Sequence, residues 1–530
     1  MSAPATEVSQ PTPAPAASRE SVLRRHLVGR TPHDQLWGWV APLLVGAVAG
    51  VLRFFRLGEP HQLIFDETYY VKQAYSYLQT GYELRWPEDA DESFTAGTPD
   101  VFGDEADFPV HPPVAKWMIA VGIRLLGVDS SVGWRFAAAL VGTLMVVMLA
   151  RIARRLLGST LLGVTAGLLL AVDGHHLVHS RTSLLDIFLA FWVLAAFGAL
   201  LADRDRTRTR LARAVAARRQ AGIPVPAWGP WTGVRPWRLV AAVCLGLAVG
   251  TKWSGLFFVP VFGLMTVLWD MAARRAAGVR TSRLGGLVTQ GVPAALTLLP
   301  VGLIVYGTSW AGWFVSDSAH LRQWGRDHPS DSVVPDALRS LWKYHQDMYG
   351  FHRGLESPHP YEANPWSWLV QGRPTSFFYE GFERGEMGCA VASCSKAITS
   401  AGNPVVWWGG TIAVAVLLFS WLLGRDWRAG AVLAGLAGGY LPWFAYSERT
   451  IYAFYSVTFV PFVVLGLTYT LGLVLGPRKA PPTRRMLGAL VAGAVVVAAV
   501  VALAWYWPVW TAEVIPYSQW RERMLLPSWI

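Results

Sequence analysis

The chain has 530 residues, of which 53% are hydrophobic and 15% charged. A soluble domain carries about 25% charged residues, so the composition excludes an ordinary water-soluble protein and points to a polytopic membrane protein. The net charge of +11 does not indicate a nucleic-acid partner. The Arg clusters fall between apolar runs, where membrane topology accounts for them.

Residues 1–35 are rich in Ala, Pro and Ser and then basic, which reads as a disordered cytoplasmic tail. No cleavable signal peptide is evident, so the first apolar run would serve as its own insertion signal. Span-like apolar runs follow at about 36–55, 132–150, 161–177, 184–201, 239–250, 256–271, 284–306, 405–423, 431–444, 451–475 and 487–507. That gives about 11 transmembrane helices in one domain, 36–508. With a cytoplasmic N-terminus, the Arg clusters near Arg151, Arg204 to Arg219, Arg274, Arg425 and Arg484 all fall inside.

The run 114–127 is short for a span, and counting it would put those clusters on the wrong side. It reads as an amphipathic or re-entrant piece carrying Lys116 and Arg124. Two large loops, 56–131 and 309–403, and the C-terminal tail 509–530 are then extracytoplasmic. The second loop is too long for a simple connector and reads as an ordered subdomain. The 27 Trp residues suit interfacial belts.

The chain is organised around Leu63-Ile64-Phe65-Asp66-Glu67-Thr68-Tyr69-Tyr70, just after the first span. A lone Asp-Glu in a loop is ordinarily solvated. Here the pair lies between aromatic residues beside a membrane, where ionisable groups are functional candidates. The same face gathers His111, Lys116, Arg135, Arg181, Lys252 and Arg449. Cations at a membrane surface suit a phosphate headgroup, and a carboxylate beside them suits a general base for a hydroxyl. ATP and nucleotide sugars are not normally available outside a bacterial membrane, so the substrate would be lipid-linked. That combination fits group transfer from a polyprenyl phosphate.

Lys252 and Arg181 have a bland alternative as span-end residues that reach for the surface. Arg135 lies inside an apolar run, where a charge needs a partner. His175, His176 and His179 fit an interfacial role better than zinc, since Asp173 alone adds a ligand type nearby. Cys244 reads as a core residue, and Cys389 and Cys394 could close a small disulfide if their loop is extracytoplasmic.

Six motifs resemble those of the bacterial protein O-mannosyltransferases, in particular actinobacterial ones, within the GT-C class of glycosyltransferases. They are Phe65-Asp66-Glu67-Thr68-Tyr69-Tyr70, His111-Pro112-Pro113-Val114-Ala115-Lys116, Gly133-Trp134-Arg135-Phe136, Ser180-Arg181-Thr182-Ser183-Leu184-Leu185-Asp186, Gly250-Thr251-Lys252-Trp253-Ser254-Gly255, and the stretch from His359-Pro360-Tyr361 to Trp366-Ser367-Trp368. The likeness covers nearly the whole chain. The long loop has no room for the β-trefoil MIR domain that eukaryotic members insert there, which leaves acceptor selection open.

The resemblance implies an all-α membrane fold that moves mannose from polyprenyl-phosphate-mannose to Ser/Thr hydroxyls of secreted polypeptides at the outer face of the cell membrane. It implies Asp66 as base, inversion at the anomeric carbon, and Glu67 orienting the acceptor or Asp66. Arg135 would hold the lipid phosphate, with His111, Lys116, Arg181, Lys252 and Arg449 as further donor-site candidates. Tyr361, Trp366 and Trp368 would line the acceptor groove or anchor the loop. No obligate cofactor is expected, a divalent cation stays open, and the secretion channel is a plausible partner. Two other readings remain: a sibling GT-C enzyme moving another lipid-linked sugar to a lipid or cell-wall glycan, and a transporter. A transporter should show inverted repeats, and none is visible.

Overall fold

The computed structural model describes residues 19–29, 32, 34–99, 102–279, 282–477 and 479–530. Among the described residues, seven helices are long and apolar enough to cross a membrane: Trp37–Phe54, Ser131–Leu157, Leu185–Gln220, Trp253–Ala276, Arg283–Ser309, Pro404–Leu422 and Pro482–Trp510. Three apolar helices are shorter, Thr160–Ala171, Pro236–Val249 and Val460–Leu475. The run at 431–444 corresponds to a 14-residue helix, Trp427–Tyr440. The expected count of eleven spans is therefore not shown.

The short helices are interrupted at their ends for local reasons. Thr160–Ala171 stops where Asp173 caps the next turn, accepting the backbone N–H of His176 at 2.9 Å. Pro236–Val249 ends at Gly250 and resumes in a 3-10 turn, Trp253–Phe257. Val460–Leu475 is preceded by another 3-10 turn, Ala453–Thr458. The second and third of these breaks put irregular backbone against a cavity, lined by Lys252, Trp253, Phe454 and Tyr455 among others, rather than against lipid.

Further elements lie between the long helices in sequence. Glu67–Thr80 packs on Val114–Leu126, which packs in turn on Ser131–Leu157. Val114–Leu126 has Ala115 and Ile119 buried and Val121 and Leu125 exposed, so it is amphipathic. From the second loop come Asp336–Arg353 and a hairpin, β1 (Thr375–Glu383) and β2 (Ser393–Ser400). A third strand, β3 (Val514–Pro516), completes an antiparallel sheet in the order β1-β2-β3. An all-helical reading misses this sheet, although the fold is predominantly helical.

Two further departures concern the ends. Residues 1–18 lie outside the described residues, but Arg19–Val28 is a helix rather than a tail. Leu23 and Leu27, four residues apart on one face, pack against Leu211, Ala212 and Val215. At the C-terminus, Trp520 and Trp529 are buried, so 509–530 is docked.

Candidate active site

The loop leading to the acidic pair turns through Phe65 at φ +50°, and the helix Glu67–Thr80 begins directly after Asp66. The two acids part company there. Glu67 points into the protein and is 0% exposed. Its carboxylate accepts the N–H groups of Ile64 at 3.1 Å and Ser183 at 2.9 Å, and Arg135 Nε and Nη2 at 2.8 Å each. Arg135 spends its remaining donors on the carbonyls of Leu57 at 3.2 Å, Pro60 at 2.9 Å and Gln62 at 2.9 Å. A guanidinium has five N–H donors, and all five are accounted for. The geometry therefore does not place Arg135 as a phosphate ligand. It is the clamp that fixes the loop.

Asp66 faces the other way, into a cavity of about 940 Å³ lined also by Tyr70, His111, Lys252, His352, Arg449 and Tyr455. Burial pushes its carboxyl up to about 6; Lys252 pulls it back, the Asp186 carboxylate pushes it up, and a Tyr70 hydrogen bond lowers it. Lys252 donates to both Asp186 oxygens, at 3.0 and 3.1 Å, and lies 4.2 Å from the Tyr455 ring centroid. The Arg449 side chain has no hydrogen bond or ion pair among the described residues, and its Nε is buried without a partner. Arg449, like the exposed Arg353, is a cation lining this cavity with donors to spare.

The remaining donor-site candidates divide. His111 lines the cavity, its ring stacked 4.9 Å from that of His352. Burial, then the charge of Lys252, holds its imidazole well below the usual range, so it is neutral. Burial likewise lowers His352 to about 4. Lys116 and Arg181 do not line the cavity. Lys116 is buried and donates to Glu83 at 2.7 Å and the His111 carbonyl at 2.9 Å, holding the His111 turn in place. Arg181 donates to the carbonyls of Arg53 at 2.9 Å, Phe55 at 2.7 Å and Arg56 at 3.0 Å, closing the end of Trp37–Phe54.

Of the acceptor-loop residues, none lines this cavity. Trp368 is 0% exposed and bonds the Ala363 carbonyl at 2.9 Å. It packs 5.7 Å from Trp443 and 6.3 Å from Tyr455, two cavity residues, and so backs the wall. Trp366 is 78% exposed and touches Phe444. Tyr361 stands beside Arg373. Cys389 and Cys394 are bonded at 2.06 Å in the β1–β2 connection. His175, His176 and His179 are fully buried rather than interfacial, and among the described residues no group of three could hold a metal.

Asp186, His352 and Tyr455 belong to the site and were not among the candidates. Asp186 had a signal, a carboxylate opening an apolar helix. His352 had none, because only tertiary packing brings it to His111.

Two family models match the sequence. One, described as dolichyl-phosphate-mannose-protein mannosyltransferase, matches residues 110–217, and the other, the C-terminal four-TMM region of protein-O-mannosyltransferase, matches 337–529. A polyprenol-phosphate-mannose–protein mannosyltransferase of Mycolicibacterium smegmatis (strain MKD8) is 40% identical over 511 residues, covering 94% of each chain. That of Corynebacterium glutamicum is 33% identical over 476 residues, covering 88% of each.

The chain belongs to the polyprenol-phosphate-mannose–protein mannosyltransferase family. It is thus a glycosyltransferase. The Saccharomyces cerevisiae Pmt1-Pmt2 complex bound to the sugar donor shares the fold, at a TM-score of 0.70 and 14% identity over 98% of this chain and 96% of that one. The architecture is that of the GT-C class. In this mannosyltransferase the Asp66 cavity unites five of the six motifs that carried the resemblance: those of Asp66, His111, Lys252, His359 and, through the Lys252 pair, Asp186.

Proposed function

We propose that this chain transfers mannose from polyprenyl-phosphate-mannose to Ser or Thr hydroxyls of secreted polypeptides, with inversion, and that Asp66 is the general base. One observation carries the proposal: a carboxylate and an unpaired guanidinium, Asp66 and Arg449, line one cavity. The acceptor hydroxyl gives its proton to Asp66 as its oxygen attacks the anomeric carbon. The bond from that carbon to the phosphate oxygen breaks, and polyprenyl phosphate leaves with one more negative charge. Arg449 and Lys252 meet that charge without reorganising. A single displacement from the face opposite the leaving group inverts the centre. Glu67 and Arg135 act on the chemistry only by holding the loop.

The active cavity is assigned to the outer face of the cell membrane, where lipid-linked sugar is the available donor. The aromatic and aliphatic side of the cavity, formed by Leu256, Phe257, Trp443 and Tyr446, suits the first isoprene units.

The test is product identity. Purified protein is given polyprenyl-phosphate-mannose and a Ser/Thr/Pro-rich peptide. The expected product is a peptide heavier by one hexose on a hydroxyl, with the anomeric configuration opposite to that of the donor. Binding of donor without transfer to peptide would contradict this reading and favour a GT-C enzyme with a lipid or glycan acceptor.

A further inference from the structure

Phe65 adopts φ +50°, a region that side chains with a Cβ seldom occupy unless their surroundings impose it. Phe65 is adjacent to Asp66 in the chain, so whatever holds its backbone also sets the direction of the Asp66 carboxylate. Three rings supply the constraint. Phe65 stacks on Phe377, with centroids 4.5 Å apart and planes 9° from parallel. Phe454 meets Phe65 edge-on at 5.3 Å and 88°, and Phe377 at 5.7 Å and 84°. The His179 ring closes the far side of Phe377 at 5.3 Å.

Phe377 is 4% exposed and sits where the β1–β2 register shifts, between Ser376 and Phe378. A bulge re-aims a side chain, and here it delivers the ring to Phe65. The hairpin is itself tied down. Cys389 and Cys394 close its connection, Lys396, Ser395 and Cys394 pair with β3, and the Ser400 hydroxyl lies 2.9 Å from His175 Nδ1. Phe454 precedes Tyr455, whose ring covers Lys252. The sandwich thus joins the base loop, the hairpin and the wall that carries the cation, segments about 300 and 80 residues apart in sequence.

We propose that Phe377 is a positioning residue: carried by the disulfide-closed hairpin, it holds Phe65 in the left-handed conformation and so aims the Asp66 carboxylate at the acceptor hydroxyl. This rests on Asp66 being the base. Phe377 touches neither substrate. Its loss lets the loop relax, moves the carboxylate out of line and admits water to it.

Full-length wild type, Phe377→Ala, Phe377→Leu, Phe377→Tyr and Asp66→Asn are assayed for mannosyl transfer to peptide. The readouts are kcat, the KM for donor, the pH profile and thermal unfolding. Phe377→Ala is expected to lower kcat about tenfold to a hundredfold while the KM for donor stays near that of wild type. Its acid limb should move down toward the ordinary carboxylate range, a shift that a smaller folded fraction cannot produce. Phe377→Tyr, which keeps the ring, should recover most of kcat. Phe377→Leu, which refills the hairpin core without stacking, should recover the unfolding temperature and not kcat. Wild-type kcat and pH profile in Phe377→Ala, or equal rescue by Leu and Tyr, would overturn the proposal while leaving the base in place. Full transfer by Asp66→Asn would remove the base reading and this proposal with it.

Discussion

At the scale of single residues, two adjacent carboxylates have opposite fates, and the partners decide which. Glu67 is enclosed by four donors, whereas Asp66 opens on the cavity with Tyr70 and Lys252 nearby. A base must be ionised to accept a proton, so transfer should fall as pH drops through about 6, the value to which burial raises Asp66. A kcat/KM profile against pH checks this; a limb near the ordinary carboxylate value of about 4 would contradict it. The stability effect has the opposite sign. A carboxyl raised in the folded state costs stability when ionised, so Asp66 disfavours folding above about 6 and the cost fades as pH falls toward about 4. Asp66→Asn should therefore unfold no earlier than wild type at neutral pH.

The two arginines invite a paired test at the same scale. Arg135→Ala leaves Glu67 charged, buried and unpaired, which costs about 3–5 kcal/mol and should lower the unfolding temperature or prevent folding. Arg449→Ala removes a cation with no protein partner among the described residues, so the fold should survive. Its transfer rate should fall by about 10² to 10³, the size of a lost oxyanion donor. The reverse pattern, an intact fold with lost donor use in the Arg135 variant, would restore Arg135 as the phosphate ligand. The sequence shows that Arg135 needs a partner, because a charge in an apolar run always does. It does not show whether the partner is substrate or Glu67, since that depends on where the 57–67 loop folds over.

At the scale of elements, the long spans were legible from apolar length alone, as in Ser131–Leu157 and Pro482–Trp510. The sheet was not. Its strands are separated by a disulfide loop, and its third strand comes from residue 514 onward, so no local window contains the pairing. The helix Asp336–Arg353 is similarly set by distant contacts. The His345 Nε2 accepts from the Tyr306 hydroxyl at 2.6 Å, which accepts from Trp253 Nε1 at 3.1 Å. Further along the same helix, His352 Nε2 lies 2.7 Å from the Val110 carbonyl, which holds its ring at the cavity. The disulfide closes a loop of few residues, and by loop entropy it contributes about 2 kcal/mol. Cys389→Ser with Cys394→Ser should lower the unfolding temperature and slow transfer, with the KM for donor little changed. An unchanged rate would detach the hairpin from the base loop.

At the scale of the whole molecule, the cavity is assembled from segments near residues 66, 111, 252, 352 and 449, each at an end or break of a helix. The helices supply a rigid frame, and the irregular pieces between them supply the chemistry, as expected where polar backbone must be enclosed near a membrane. The motifs at 66, 111 and 252 were visible in the sequence because their residue types are costly beside lipid. Span topology also puts Arg449 on their face, whereas the joining of His352 to them is not legible, because it depends on how loops distant in the sequence close over one another. In the proposed mechanism the chain's own Arg449 and Lys252 meet the leaving phosphate, so chelation with EDTA is expected to leave transfer intact. Loss that is restored by a divalent ion would show that these cations do not suffice.

The account turns on Asp66 as the base, and the most direct measurement is the rate of mannosyl transfer by Asp66→Asn beside wild type, with donor binding determined for both. A fall of about 10² to 10⁴ in rate, with donor affinity retained, is the result expected of a lost general base. Undiminished transfer by the variant would contradict it.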